Sequence, residues 1–120
     1  MDNIQIKLSA IWAAHAMTWL LGDMLRIISG DLAKEMEGKV FTQFMWLGMA
    51  VITVIPIIMI VLTLLLNKQV NRWANIIVAI LLVILNFYSV VTYPSYYDKF
   101  LLIVALGLNA LTIWFAWNWA

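Results

Sequence analysis

The chain has 120 residues, of which 66% are hydrophobic and only 11% charged, and its mean hydropathy is +1.00. A soluble domain carries about 45–50% apolar and about 25% charged residues, so these numbers exclude a water-exposed globular domain and, equally, a disordered one. Seven Lys and Arg against six Asp and Glu leave no basic stripe for nucleic acid, and the lack of cysteine excludes disulfide, thiolate-metal and thiol-redox chemistry. What the composition predicts is an all-α integral membrane protein of one domain.

Four apolar runs are long enough to cross a bilayer, which takes roughly 20 residues of helix. They are expected at about 8–29, 44–66, 73–93 and 100–120. In lipid the backbone must satisfy its own hydrogen bonds, so the runs read as helices of an antiparallel four-helix bundle with short connections and both termini on one side. Within the first run, Ala14-His15-Ala16 mimics a signal-peptidase site. The apolar stretch continues past it to Leu21, so an uncleaved helix is expected. The connection SGDLAKEMEGK follows. There Asp31 is placed to cap a short turn carrying Leu32 and Met36 on one face, and a solvated loop is the competing reading. Pro56 falls inside the second run, where it removes one backbone hydrogen bond and predicts a kink. The basic connection around Lys68 and Arg72 places the termini on the cytoplasmic side by the positive-inside rule. Tyr93-Pro94 ends the third run, and a six-residue connection makes the third and fourth an antiparallel hairpin.

Aromatic residues form two expected interfacial belts. Trp12, Trp73, Trp117 and Trp119 belong to the terminal face, and Trp46, Tyr93, Tyr96 and Tyr97 to the opposite face. Trp19 and Trp114 lie deeper and read as packing inside.

Polar residues inside the runs are the candidates for chemistry, because a charge at the bilayer centre costs about 2.5–3.5 kcal/mol and turns inward. On a 3.6-residue period His15, Trp19, Gly22 and Arg26 share one face, with Asp23 at its flank. Asn75, Ala79, Asn86, Ser89 and Tyr93 share another, as do Ala105, Asn109, Thr112 and Ala116. At about 1.5 Å per residue, His15 comes level with Thr112, Asn109 falls near the middle, and Asn86 comes level with Asp23. The expected constellation is a polar ladder of His15, Thr112, Asn109, Asn86, Asp23 and Arg26. It reads either as interhelical glue or as a ligand pocket or pathway. Asp23 and Arg26, three residues apart, are expected to pair on their own helix. His15 is expected to bond to Thr112 or Asn109, or else to contact a ligand. One histidine cannot build a multi-His metal site or a two-His haem site, so no metal or cofactor is expected.

Gly22-Asp23-Met24-Leu25 closes the first run, Val70-Asn71-Arg72-Trp73-Ala74-Asn75 opens the third, and Thr92-Tyr93-Pro94-Ser95-Tyr96-Tyr97-Asp98-Lys99-Phe100 joins the last two. With the Trp-rich end Trp114-Phe115-Ala116-Trp117, these stretches resemble small uncharacterised prokaryotic four-helix membrane proteins, loosely similar to the DoxX-like group. The resemblance implies a four-helix membrane bundle with no settled activity, and it carries over no catalytic residue. Small multidrug exporters match in length. They rely on an isolated carboxylate in the first span, whereas Asp23 lies late in its span beside Arg26, and the fourth run holds one glycine, Gly107.

No activated nucleophile, carboxylate pair or metal site is visible, which points away from an enzyme. The functional expectation is a non-enzymatic protein of the prokaryotic inner membrane whose polar core holds a small ligand or lipid. The alternatives are an oligomeric small-solute transporter or channel subunit and a membrane anchor for a larger complex. The expected partners are the lipid bilayer and a second copy or a membrane protein.

Overall fold

A computed structural model describes residues 3–40, 42–92 and 95–119, without the side chains of Leu32 and Glu35. The readings for Tyr93-Pro94 and for the side chain of Leu32 lie outside the described residues. Four long helices and one short one follow in order: α1 (Asn3–Ser29), α2 (Asp31–Met36), α3 (Gln43–Leu65), α4 (Lys68–Thr92) and α5 (Tyr96–Trp117). Among the described residues there is no strand.

Both α1 and α4 begin five residues before their apolar runs, and the reason is visible at their first turns. The last carbonyls of a helix have no partner within it. Gln5 Nε2 donates to the carbonyls of Thr63 (3.1 Å) and Leu66 (3.4 Å) at the end of α3. Arg72 donates from Nε to the Ala116 carbonyl and from Nη2 to that of Trp117, both at 3.0 Å, at the end of α5. The polar first turn of each helix thus caps a neighbour. A count of apolar residues leaves such turns out, although nothing in them breaks a helix.

The connections follow ordinary capping chemistry, with one departure from the expected pattern. Thr42 Oγ1 accepts from the Met45 amide at the start of α3, and Asn67 Oδ1 from the Val70 amide at the start of α4. The six-residue α2 does form. Its cap residue is Gly30, at φ 83°, and not Asp31. A positive φ suits glycine, and the Asp31 carboxylate turns away to α5, where it accepts from Ser95 Oγ (2.8 Å) and from the Tyr97 hydroxyl.

In the assembled bundle α1 packs against α3 and α5, and α4 packs against α5; α3 and α4 meet least. Two apolar clusters hold it. Leu8, Ile76, Ala116 and Trp119 pack at the terminal end, and Trp12, Met59, Ala79 and Leu82 pack farther in. Trp12 and Trp119 are buried, so they do not belong to a surface belt, while Trp114 is exposed at 60% rather than packed inside. Residues 43–54 of α3 are all exposed, whereas Pro56, Met59 and Thr63 are buried. The half of α3 before Pro56 therefore stands off from the other helices.

By length and composition α3, α4 and α5 are apolar enough to cross a membrane. α1 is the longest at 27 residues, but His15, Asp23 and Arg26 dilute its apolar run. Where four such helices are expected, three meet the criterion.

Candidate functional site

The bundle interior carries polar groups along its length, and the two halves differ in how these are satisfied. Toward the terminal end the network is closed. Trp12 Nε1 donates to Asn75 Oδ1 at 2.6 Å, and Thr63 Oγ1 approaches the same oxygen at 3.4 Å. Asn75 Nδ2 donates to the Asn71 carbonyl (2.8 Å) and to Asn71 Oδ1 (2.6 Å), and Asn71 Nδ2 donates to the Thr63 carbonyl. Asn71, Asn75 and Thr63 are 0% exposed. Asn71 reads as part of a connection in the sequence. Its spacing could have shown otherwise, since intervals of four and eleven residues from Asn71 to Asn75 to Asn86 return to one helix face.

His15 occupies the middle. It is 1% exposed, with its ring 5.9 Å from that of Trp12 and 4.7 Å from that of Trp19. Its partner is Asn86, on α4, and not Thr112 or Asn109 on α5. An indole N–H can only donate, and Trp19 Nε1 donates to Asn86 Oδ1 at 3.0 Å. That contact turns the Asn86 amide group toward His15 Nε2 at 3.2 Å, so Nε2 accepts and the ring proton sits on Nδ1. Asn86 thus meets the rings of Trp19 and His15 and also lines one cleft with Asp23. Rise per residue alone misses the His15 contact, because side chains reach along the helix axis before they meet a partner.

The α5 members of the ladder are inward-facing but less connected. Thr112 is buried and its hydroxyl donates to the Leu108 carbonyl of its own helix at 3.0 Å. Asn109 is buried at 1%, and neither its Oδ1 nor its Nδ2 has a partner among the described residues. His15 Nδ1 shares that condition. Contacts of Lys7 with Phe115 and of Arg26 with Asp98 fix the antiparallel register of α1 on α5, and this register puts Asn109, rather than Thr112, at the level of His15.

Away from the termini the bundle opens. A cleft of about 600 Å³ lies among the end of α1, the stand-off half of α3, the end of α4 and the start of α5. Trp19, Asp23, Arg26, Asn86, Ser89 and Asp98 supply its polar and aromatic side, and Trp46, Met49 and Ile52 on α3 form much of the opposite wall. The expected pair of Arg26 with Asp23 on α1 is present, and a closer one to α5 joins it. Arg26 Nε lies 3.3 and 3.4 Å from the two carboxylate oxygens of Asp98, on α5, and Nη1 lies 3.7 Å from Asp23 on its own helix. Asp98 is 3% exposed, so the closer and drier bridge crosses between helices. In the sequence Asp98 reads as a residue of the last connection; the start of α5 at Tyr96 brings it into the bundle.

A second groove, of about 440 Å³, runs between α3 and α4 along Ile55, Val78, Leu81 and Leu85. Leu85 also lines the cleft, so the charged chamber and the apolar groove lie side by side where α3 and α4 make little contact. Among the described residues no group of His, Cys, Asp and Glu is placed to hold a metal ion.

Outside the bundle, the Asp31 latch ties α2 to α5. Its hydrogen bonds from Tyr97 and Ser95 hold the Asp31 carboxyl below the usual carboxylate range.

No curated protein and no solved structure matches the chain. A family model does, over residues 3–120, and on that match the chain belongs to a family of unknown function, DUF6326.

Proposed function

We propose that this chain is a small integral membrane protein that holds an amphiphilic molecule, a lipid or a lipid-like compound, in the cleft between its helices. It performs no covalent chemistry on that molecule. The observation that carries the reading is that the charged chamber around Asp23, Arg26 and Asp98 borders the apolar groove along Val78, Leu81 and Leu85, with Leu85 lining both. A chamber with a few convergent polar groups and an apolar extension suits a molecule with a head and a tail.

The outward faces support the membrane setting. Phe44, Leu65, Ile28 and Val91 are exposed at 83%, 75%, 76% and 70%, in a chain with too few charges to cover them. On this reading α1 is the fourth span. Its outward side chains, Met17, Leu20 and Ile27, are apolar, and its polar ones, His15 and Arg26, turn to the other helices. The inner-membrane location and cytoplasmic termini belong to the same proposal.

A transport reading draws on the row of buried polar groups that continues from Asn86 through His15 to Asn75 and Asn71. Trp12 and Leu8, both 0% exposed, fill the bundle at the terminal end of that row, and this favours a closed chamber over a path.

The chain has no cysteine, so a single introduced one reports its own site. Ser89→Cys, in the cleft, should react with a maleimide in mild detergent, and a lysophospholipid should protect it. Lys39→Cys, in the α2–α3 connection, should react equally with or without the lipid. Equal labelling of Ser89→Cys in both conditions would overturn the proposal.

A further inference from the structure

The charges of the cleft discriminate among amphiphiles. Among the described residues three ionisable side chains line it: Asp23, Arg26 and Asp98. The Arg26 guanidinium faces both carboxylates, at 3.3 Å for Asp98 and 3.7 Å for Asp23, so the three together leave one negative charge in excess. That excess sits on the cleft side. The side chain of Asp98 is 4% exposed and directed at Arg26, whereas that of Asp23 is 52% exposed. An anionic head entering here would meet the Asp23 carboxylate and would have to draw Arg26 away from a buried partner. A cationic head would gain Asp23 and leave the Arg26–Asp98 bridge in place. Two indoles, of Trp19 and Trp46, line the same chamber, and an aromatic face attracts a cation and not an anion.

We infer that the cleft is a site for a lipophilic cation: a molecule with a positively charged ammonium- or phosphonium-like head against Asp23 and an apolar body along the groove of Val78, Leu81 and Leu85. This rests on the cleft being a ligand site, and it adds the sign of the ligand's charge.

Tetraphenylphosphonium and tetraphenylborate test it, since they match in size and apolar surface and differ in sign. The full chain is reconstituted in phosphatidylcholine nanodiscs, whose surface has no net charge. Binding is measured by equilibrium dialysis against protein-free discs, because both ions also dissolve in lipid. The expected result is saturable, protein-dependent binding of the phosphonium, about tenfold tighter than that of the borate. Asp23→Asn, which keeps the shape of an already half-exposed side chain, should weaken phosphonium binding by about tenfold. Borate binding as tight as phosphonium binding, or an unchanged affinity in Asp23→Asn, overturns the assignment. So does the absence of saturable binding of either ion. Protection of Ser89→Cys by lysophospholipid, if it persists in those cases, shows that the charge assignment failed and the cleft did not.

Discussion

Asn86 satisfies two ring systems with one amide, accepting from Trp19 and donating to His15. Asn109, equally buried, has no partner among the described residues. Two asparagines alike in the sequence therefore differ in what their loss does. Asn86→Leu strips a partner from an indole N–H and an imidazole nitrogen, and unfolding in detergent should become easier by about 1–3 kcal/mol. Asn109→Leu removes two unsatisfied polar atoms and adds apolar contact, so it should leave the melting temperature unchanged or raise it. Equal destabilisation by both substitutions would show that Asn109 holds a partner as firmly as Asn86 does.

Between elements, Arg26 bridges α1 to α5, and the two carboxylates it meets are not equivalent. Removing Arg26 leaves Asp98 buried and uncompensated, so Arg26→Leu should cost about 3–5 kcal/mol of stability. Asp23 is half exposed at 3.7 Å, and Asp23→Asn should cost about 1 kcal/mol or less. Chemical denaturation of the two variants side by side checks the order, and a larger loss from Asp23→Asn would return the pairing to α1 alone. The α2–α5 latch gives a pH dependence. The folded Asp31 carboxyl lies below its unfolded value because Tyr97 and Ser95 hydrogen-bond its ionised form. Its contribution is therefore complete above the unfolded pKa of about 3.9 and is lost only as pH falls through the lower folded value. Carboxyl-carbon NMR of labelled aspartate should show the Asp31 midpoint below that of a free aspartate side chain. Asp31→Asn should free α2, seen as faster amide exchange over Asp31–Met36. A midpoint at or above the free value would mean that the latch is open in solution.

Over the whole molecule, the sequence makes the helices legible and the helix partners much less so. Apolar runs and short polar breaks locate all four long helices, because hydrophobicity and chain punctuation are local properties. The early starts of α1 and α4 are not legible, because the roles of Gln5 and Arg72 lie at the ends of other helices. Periodicity gives the inward faces of α1, α4 and α5 but no neighbour order, so Thr112 and Asn109 read as partners for His15 and Asn86 does not. Asp98 escapes for another reason. A carboxylate inside an expected connection reads as solvated unless the helix start is known, and α5 starts two residues ahead of it. The cleft depends on the first half of α3 standing away from the bundle. That run holds no charge and little periodicity, so nothing in its residues distinguishes a face against protein from a face against lipid.

The position of the opening sets where a ligand would come from. The cleft lies among residues of the second halves of α1 and α4 and the first halves of α3 and α5, and α3 and α4 make little contact with each other. In a bilayer that geometry puts the entrance within a single leaflet, the one opposite the termini. A molecule dissolved there would enter by lateral diffusion without crossing the midplane or passing through water. Occupancy would then follow its mole fraction in that leaflet, so that adding lipid at a fixed total amount of ligand would weaken binding, whereas adding lipid at a constant free aqueous concentration would leave it unchanged.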